Sequence, residues 1–399
     1  MTFLVITFYI QLLVIFLFKV KSDSFLLTII KIGLLVSFTI FCITILLNFL
    51  NKIDHFPYVI SWLVLNLISF VYLLKNTSNN KHLFKSSFYK FFIKLNQLPF
   101  KKKMVLFIVI VFLSLLFIQG ILYPPTNWYS TTYHLPRIIQ WINHGSLEYY
   151  PTHIIRQLYQ PPFAEYAILE TILLNKSDIF SFSIQFIYYL LVSFTMIEIT
   201  SYFSKKRNIR WIAGLLSLFI PEAILQATST QNDIFVSFFI ASSILFLLLI
   251  LKKPTQINFI FLGISIGLAL LTKALDYVYL PIFVGLFIII FIKNNFKTWK
   301  KEYFISGLIT LTIVFSININ RFQKNYALCH NIMGTDLKED KEYKLEDLSL
   351  LGISSNIIKN IGLHFDPLFV GNLGNQFVEK IHILMNFDTN KKGMNLVFF

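Results

Sequence analysis

The sequence predicts an all-α polytopic membrane protein built on about ten transmembrane helices, and three observations predict it. The chain of 399 residues is 56% hydrophobic, with a mean hydropathy of +0.66 and only 14% charged residues, too apolar for a soluble chain of this size. Apolar runs long enough to cross a hydrocarbon core recur along its length. The basic residues collect in short links between those runs, in the alternation that the positive-inside rule describes.

The first run, 2–18, has no basic segment before it and no small-residue cleavage site, so it reads as a retained span and not as a signal peptide. Runs at 25–50 and 56–74 follow, then a stretch from Lys75 to Lys103 with eight lysines and no acid. Further runs lie at 104–123, 179–203, 211–227, 233–251, 257–272, 277–293 and 302–320. The apolar piece Pro161–Leu174 is too short to span and is expected to be an interfacial or re-entrant helix. With that piece not crossing, all the basic links fall on one side: Lys19 and Lys21, 75–103, Lys205 to Arg210, Lys252 and Lys253, and Lys293 to Lys301. This side is expected to be cytoplasmic. The N-terminus, the 123–178 loop, the 226–233 link, the Lys273 turn and everything after Arg321 are then outside a bacterial cytoplasmic membrane.

The net charge of +15 does not point to nucleic acid, because the charge sits in span-flanking links. The partner it implies is membrane lipid. Cys42 falls inside a predicted span and Cys329 outside, which offers neither a disulfide framework nor a thiolate metal site. Three parts emerge: an N-terminal three-span segment with its basic loop (1–103), a central transmembrane core (104–320), and an external tail (321–399). In the tail nine Lys and Arg meet nine Asp and Glu, without positive-inside bias, and weak helical periods appear around 356–365 and 375–387. It ends without a closing span and is expected to be partial.

Chemistry is expected where polar, aromatic and charged residues crowd between membrane-grade runs, in YPPTNWYSTTYHLPRIIQWINHGSLEYYPTHIIRQLYQPPFAEYAI at 123–168. This loop brings Tyr133, His134, Arg137, Glu148, His153, Arg156, Gln157 and Glu165. The 229–233 link adds Gln231 and Asp233, and the 271–273 link adds Lys273. Carboxylates that can take a proton, beside cations that can hold a phosphate, suit glycosyl transfer from a polyprenyl-phosphate sugar, whose headgroup sits at the bilayer surface. Each residue also has a plainer reading. Glu165 could face water, five residues before Glu170 on another helix face; Asp233 could cap the next span; Arg137 and Arg156 could snorkel to headgroups; Lys273 could anchor at the interface. His134 and His153 lack a tight ligand spacing, so a divalent metal stays open and no cofactor is certain. Trp128, Trp141 and the tyrosines of 149–159 suit an aromatic belt or stacking on a sugar ring.

The run NWYSTTYHLPRIIQW (127–141), YPTHIIRQLYQPPFAEYAIL (150–169), STQND (229–233) and GLALLTK (267–273) resembles bacterial integral-membrane glycosyltransferases of the protein O-mannosyltransferase-like, GT-C class, over roughly 104–390. The resemblance implies a GT-C-like bundle with external loop helices. It also implies a polyprenyl-phosphate-linked donor, a glycan, lipid or protein acceptor, inversion at the sugar carbon, and an acidic catalytic base early in the first external loop. Relatives read Asn-Trp-Asp-Ser where this chain reads Asn127-Trp128-Tyr129-Ser130. A phenol, with a reference pKa near ~10, is a poor base at neutral pH. Either Glu148, Glu165 or Asp233 substitutes for it, or this is an impaired or truncated copy. A lipid-linked-glycan transporter is the other alternative, although such a protein should carry paired broken spans with mid-membrane charges.

Overall fold

The computed structural model describes residues 3–19, 24–77, 99–295, 300–334, 349–365 and 373–388. Among these residues every regular element is helical. The greater part of the basic stretch between Lys75 and Lys103, and nearly all of the charged stretch at 335–349, lie outside the described residues.

In chain order α1 (Phe3–Lys19), α2 (Phe25–Phe49) and α3 (His55–Thr77) form the N-terminal group, followed by α4 (Phe100–Leu122). A π-helical turn (Ser130–His134) leads into α5 (Leu135–His144); α6 (Arg156–Tyr159) and α7 (Phe163–Asn175) complete the first long loop. The core continues through α8 (Ser183–Phe203), α9 (Arg207–Leu218), α10 (Pro221–Gln226), α11 (Asp233–Lys252), α12 (Gln256–Thr272), α13 (Asp276–Asn295) and α14 (Lys301–Cys329). The tail contributes α15 (Leu350–Phe365) and α16 (Leu373–Leu384), where the weak helical periods predicted helix.

Among the described residues seven helices, α2, α3, α4, α8, α11, α13 and α14, are long and apolar enough to cross a membrane, and the shorter α1 and α12 are apolar as well. The protein is a multi-pass membrane protein. Large apolar side chains such as Ile60, Leu63 and Leu67 of α3 and Phe107 and Leu115 of α4 are exposed, as helices facing hydrocarbon require. The run expected to span at 211–227 is broken instead. Ile220 is extended, as a residue before proline prefers, and Pro221 restarts the chain as the short α10.

Contacts between helix ends sort into two groups that match the predicted alternation. On one side Ser24 bonds Glu198, Lys102 Nζ bonds Asn208 Oδ1 at 3.2 Å, and Lys252 lies over the Tyr202 ring. On the other, the Leu147 amide donates to Asn48 Oδ1 at 2.7 Å, the Ile53 amide to the Gly145 carbonyl at 3.1 Å, and Thr230 to Ser130 at 2.7 Å.

Two features position the site. The helix α7 is buried along its length from Phe163 to Leu174 and packs against α2, α3, α5 and α12, so it is a helix enclosed by protein and not one lying at the lipid interface. Its apolar character all round made this burial natural. The second feature is the close packing of α14 on α12. Gly263 and Gly267 are four residues apart on α12, and a Cβ at Gly263 would meet the Thr310 backbone at 3.1 to 3.2 Å. Thr310 donates across this contact to the Phe259 carbonyl at 2.9 Å, and Asn318 to the Gly267 carbonyl at 3.0 Å. Small residues and interhelical hydrogen bonds of this kind bind helices inside a bilayer. α14 runs past the boundary expected at 320, to Cys329, which turns the start of the expected tail into the last turns of a core helix.

Candidate active site

The first loop folds back so that α5 and α7 present their polar residues to each other. Glu165, in the first turn of α7, is fully buried; its Oε1 accepts from His134 Nδ1 at 3.0 Å and from Arg137 Nη1 at 3.4 Å. Burial alone would raise this carboxyl, but the His134 hydrogen bond and the charges of His134 and Arg137 outweigh it and hold Glu165 below the ordinary carboxylate range. Arg137, 3% exposed, also donates from Nη2 to the carbonyls of Leu158 and Gln160 at 3.1 and 3.0 Å, and its guanidinium lies 4.8 Å over the Trp141 ring. Tyr133 OH accepts from Arg137 Nη1 at 3.3 Å. Burial, reinforced by the Glu165 charge, pushes the Tyr133 phenol well above its usual value, which keeps it neutral.

Beside this buried cluster lies a small cleft, partly open to solvent. Arg137, Arg321 and Lys324 bring positive charge to it, and Trp141, Tyr149 and Tyr166 bring aromatic faces; no carboxylate is among its lining residues. Burial pushes Tyr149 up to about 12, so it remains a neutral donor. Arg321 and Asn325, one helical turn apart on α14, hold two turns together. Arg321 donates to the carbonyls of Tyr159 (3.3 Å) and Met333 (3.1 Å) and to Tyr277 OH (3.2 Å), while Asn325 donates to Tyr159 and Ile332. Lys324 differs from the two arginines. Its partners are the Leu147 carbonyl at 3.1 Å and the exposed Glu148 carboxylate at 2.9 Å, an ion pair that solvent can open.

A second polar group lies at the starts of α11 and α13. Asp233 and Lys273, both partly exposed, form an ion pair. Asp276 is 1% exposed, close enough to feel both charges, and has one buried oxygen without a partner. Asn232 donates to the Thr272 carbonyl at 3.2 Å, fastening the start of α11 to the end of α12. From Asp276 the next residue, Tyr277, leads directly to Arg321 and so to the cleft.

Residues 159–319 match the family model described as dolichyl-phosphate-mannose-protein mannosyltransferase. Over these residues the chain is similar to that family of membrane glycosyltransferases. No curated protein and no solved structure matches the chain. The matched segment contains Glu165, Asp233, Lys273 and Asp276; the cleft cations Arg137, Arg321 and Lys324 lie outside it.

The site residues predicted from the sequence fall into separate places. Of the acids, Glu165 is enclosed, Asp233 is accessible beside Lys273, and Glu148 is exposed beside Lys324. Tyr129 is half-buried with Arg156 over its ring at 6.0 Å, so Arg156 stands away from the cleft lining. Gln157 lines the cleft, but its side chain is committed to the loop: Nε2 donates to the Thr132 carbonyl, and Oε1 accepts from Tyr150 and Thr152. His153 is exposed and Gln231 half-buried. Of the charged residues among those predicted, Arg137 and Glu165 form a buried pair, Asp233 and Lys273 a surface pair, and Arg156 stands apart. Among the described residues no three His, Cys, Asp or Glu side chains converge as metal ligands.

Trp141, Tyr150 and Tyr159 are buried and Tyr149 is half-buried in the cleft wall, whereas Trp128, 71% exposed, fits the expected aromatic belt. Sequence reasoning missed Arg321, Lys324 and Asn325, because the asparagines at 318 and 320 read as the end of a span. The signal was their spacing, which continues one helix face. It also missed Asp276, three residues after Lys273 at the same turn.

Proposed function

We propose that this transferase moves a sugar from a polyprenyl-phosphate carrier to an acceptor hydroxyl on the outer side of the cytoplasmic membrane. The observation that carries the reading is the cleft that combines Arg137, Arg321 and Lys324 with aromatic walls and no lining carboxylate. In this reading the acceptor oxygen bonds the sugar carbon as the bond to the phosphate oxygen breaks. The electron pair leaves with the phosphate, and the acceptor proton passes to a carboxylate. Arg321 and Arg137, fixed by carbonyls, supply a preorganised field for the departing phosphate, and Lys324 exchanges Glu148 for it. Asp233 takes the proton: it is the accessible acid that stands apart from the cations of the cleft. Glu165 positions Arg137 and does not itself meet the acceptor.

The test is transfer in proteoliposomes from a panel of polyprenyl-phosphate sugars, with carrier binding measured separately. Lys324→Gln should weaken carrier binding, and Asp233→Asn should stop transfer while leaving binding intact. Full binding in the first and full transfer in the second would overturn the reading. The presence of Tyr129, in place of the acid its relatives carry, favours a second reading, a copy that binds the carrier without turning it over. Carrier binding with no transfer from any donor would select it.

A further inference from the structure

The C-terminal helices α15 and α16 meet through two glycines, Val378 and a buried Ser355–His382 pair. A Cβ at Gly362 would lie 2.4 Å from Val378 Cγ2 and 3.4 Å from the Gly374 carbonyl, and Ser355 Oγ meets His382 Nε2 at 2.7 Å, both side chains buried. The opposite face of α15 carries Leu350, Ile353, Ile357 and Ile361, at spacings of one helical face, with exposures of 84, 44, 54 and 41%. A helix pair folded in water turns its apolar stripe toward its partner. A pair bordered by hydrocarbon does the reverse, with small residues and hydrogen-bonding groups inside and apolar side chains outside. The exposed apolar face of α3 in this same chain follows the second pattern.

The pair does not cross the membrane. α15 has 16 residues and α16 has 12, short of a bilayer span, and α15 carries Asn356, Lys359 and Asn360 near its middle. We propose that this hairpin is an interfacial element that lies on the bilayer surface at the end where α14 terminates, its Leu350, Ile353, Ile357 and Ile361 stripe set among lipid acyl chains. The bilayer is the occupant the chain itself supplies. α14 is fixed in the membrane, and residues 335–348 can hold the hairpin no farther than ~50 Å from the turn that follows α14. At that range lipid is always at high effective concentration, so a small apolar face suffices. The inference is independent of the catalytic reading.

Single nitroxide labels at 353, 357 and 361, in a full-length Cys42→Ser, Cys329→Ser background, test it in phosphatidylethanolamine–phosphatidylglycerol proteoliposomes. Dissolved oxygen, which concentrates in acyl chains, should relax all three labels more than a water-soluble nickel chelate does, and the preference should fall at 356 on the helix flank. A nickel preference at 357 would place the stripe in water. Exclusion of both reagents would mean that protein covers it, either the transferase's own core or a second copy. Either result overturns the proposal. The unaltered chain gives a label-free check: a carbene-generating acyl-chain lipid should modify the 350–361 peptide, and no modification there would refute the assignment.

Discussion

Replacing Glu165 by Gln should cost folding stability first and transfer only as a consequence. Glu165 is fully buried, and Arg137 and His134 both depend on its Oε1. Removing one partner of a buried ion pair leaves an uncompensated charge, typically worth ~3–5 kcal/mol. Arg137 keeps the Leu158 and Gln160 carbonyls and Tyr133, so the lower end, ~3 kcal/mol, is expected. Arg137→Met should cost more, since it also orphans two buried carbonyls at ~1–3 kcal/mol each. The double variant should cost less than the sum, with a coupling of ~0.5–3 kcal/mol. Equilibrium unfolding in mixed detergent and dodecyl sulfate reads this, and Trp141, stacked under Arg137, provides a local fluorescence reporter. The pH dependence follows with a definite sign. The folded carboxyl lies below its ordinary value, so its contribution is fully present above the ordinary carboxylate range and is lost as pH falls through the folded value. Glu165→Gln should therefore flatten the acid side of the stability profile. Unchanged stability, additive variants and a large loss of turnover would together refute the argument and make Glu165 a chemical group.

Asp233→Asn should reduce kcat by ~10²- to 10⁴-fold, the usual worth of a positioned base, while Glu148→Gln should leave kcat near normal. Transfer kinetics on the two variants separate the assignments, and the reverse pattern would move the base to Glu148. Lys324→Gln should raise KM for the carrier more than it lowers kcat; a pure kcat effect in the same assay would remove it from phosphate binding. Gly263→Val should destabilise by ~1–3 kcal/mol, because the added methyls must displace the Thr310 backbone, and detergent-unfolding midpoints would show it.

The membrane class and most of the helices were legible because each is written in hydropathy and charge spacing. The break at 219–221 was marked by Pro221, yet the apolar run across it concealed two short helices. Glu165 and Arg137 were found by their residue types, but sequence could not show that each would be the other's partner. That outcome depends on α7 being enclosed by α2, α3, α5 and α12, and a helix apolar on every face reads the same whether lipid or protein surrounds it. Arg321 and Lys324 were hidden for the converse reason: polar residues that leave the hydrocarbon on a continuing helix look like the start of a loop.

That continuation explains how membrane packing reaches the site. Gly263 and Gly267 let α12 and α14 approach closely, and the bonds from Thr310 and Asn318 fix the register between them. Register on α14 then sets where Arg321 and Asn325 emerge, and these two side chains fasten the Tyr159 turn to the 331–334 turn. The Tyr159 turn in turn carries the Leu158 and Gln160 carbonyls that hold Arg137. Two of the three cleft cations are therefore desolvated and oriented by the fold itself, the preorganisation on which the proposed departure of a phosphate would draw. Lys324 is held by a backbone carbonyl, an exposed carboxylate and the Tyr149 ring, none of them a buried anchor like those of the two arginines.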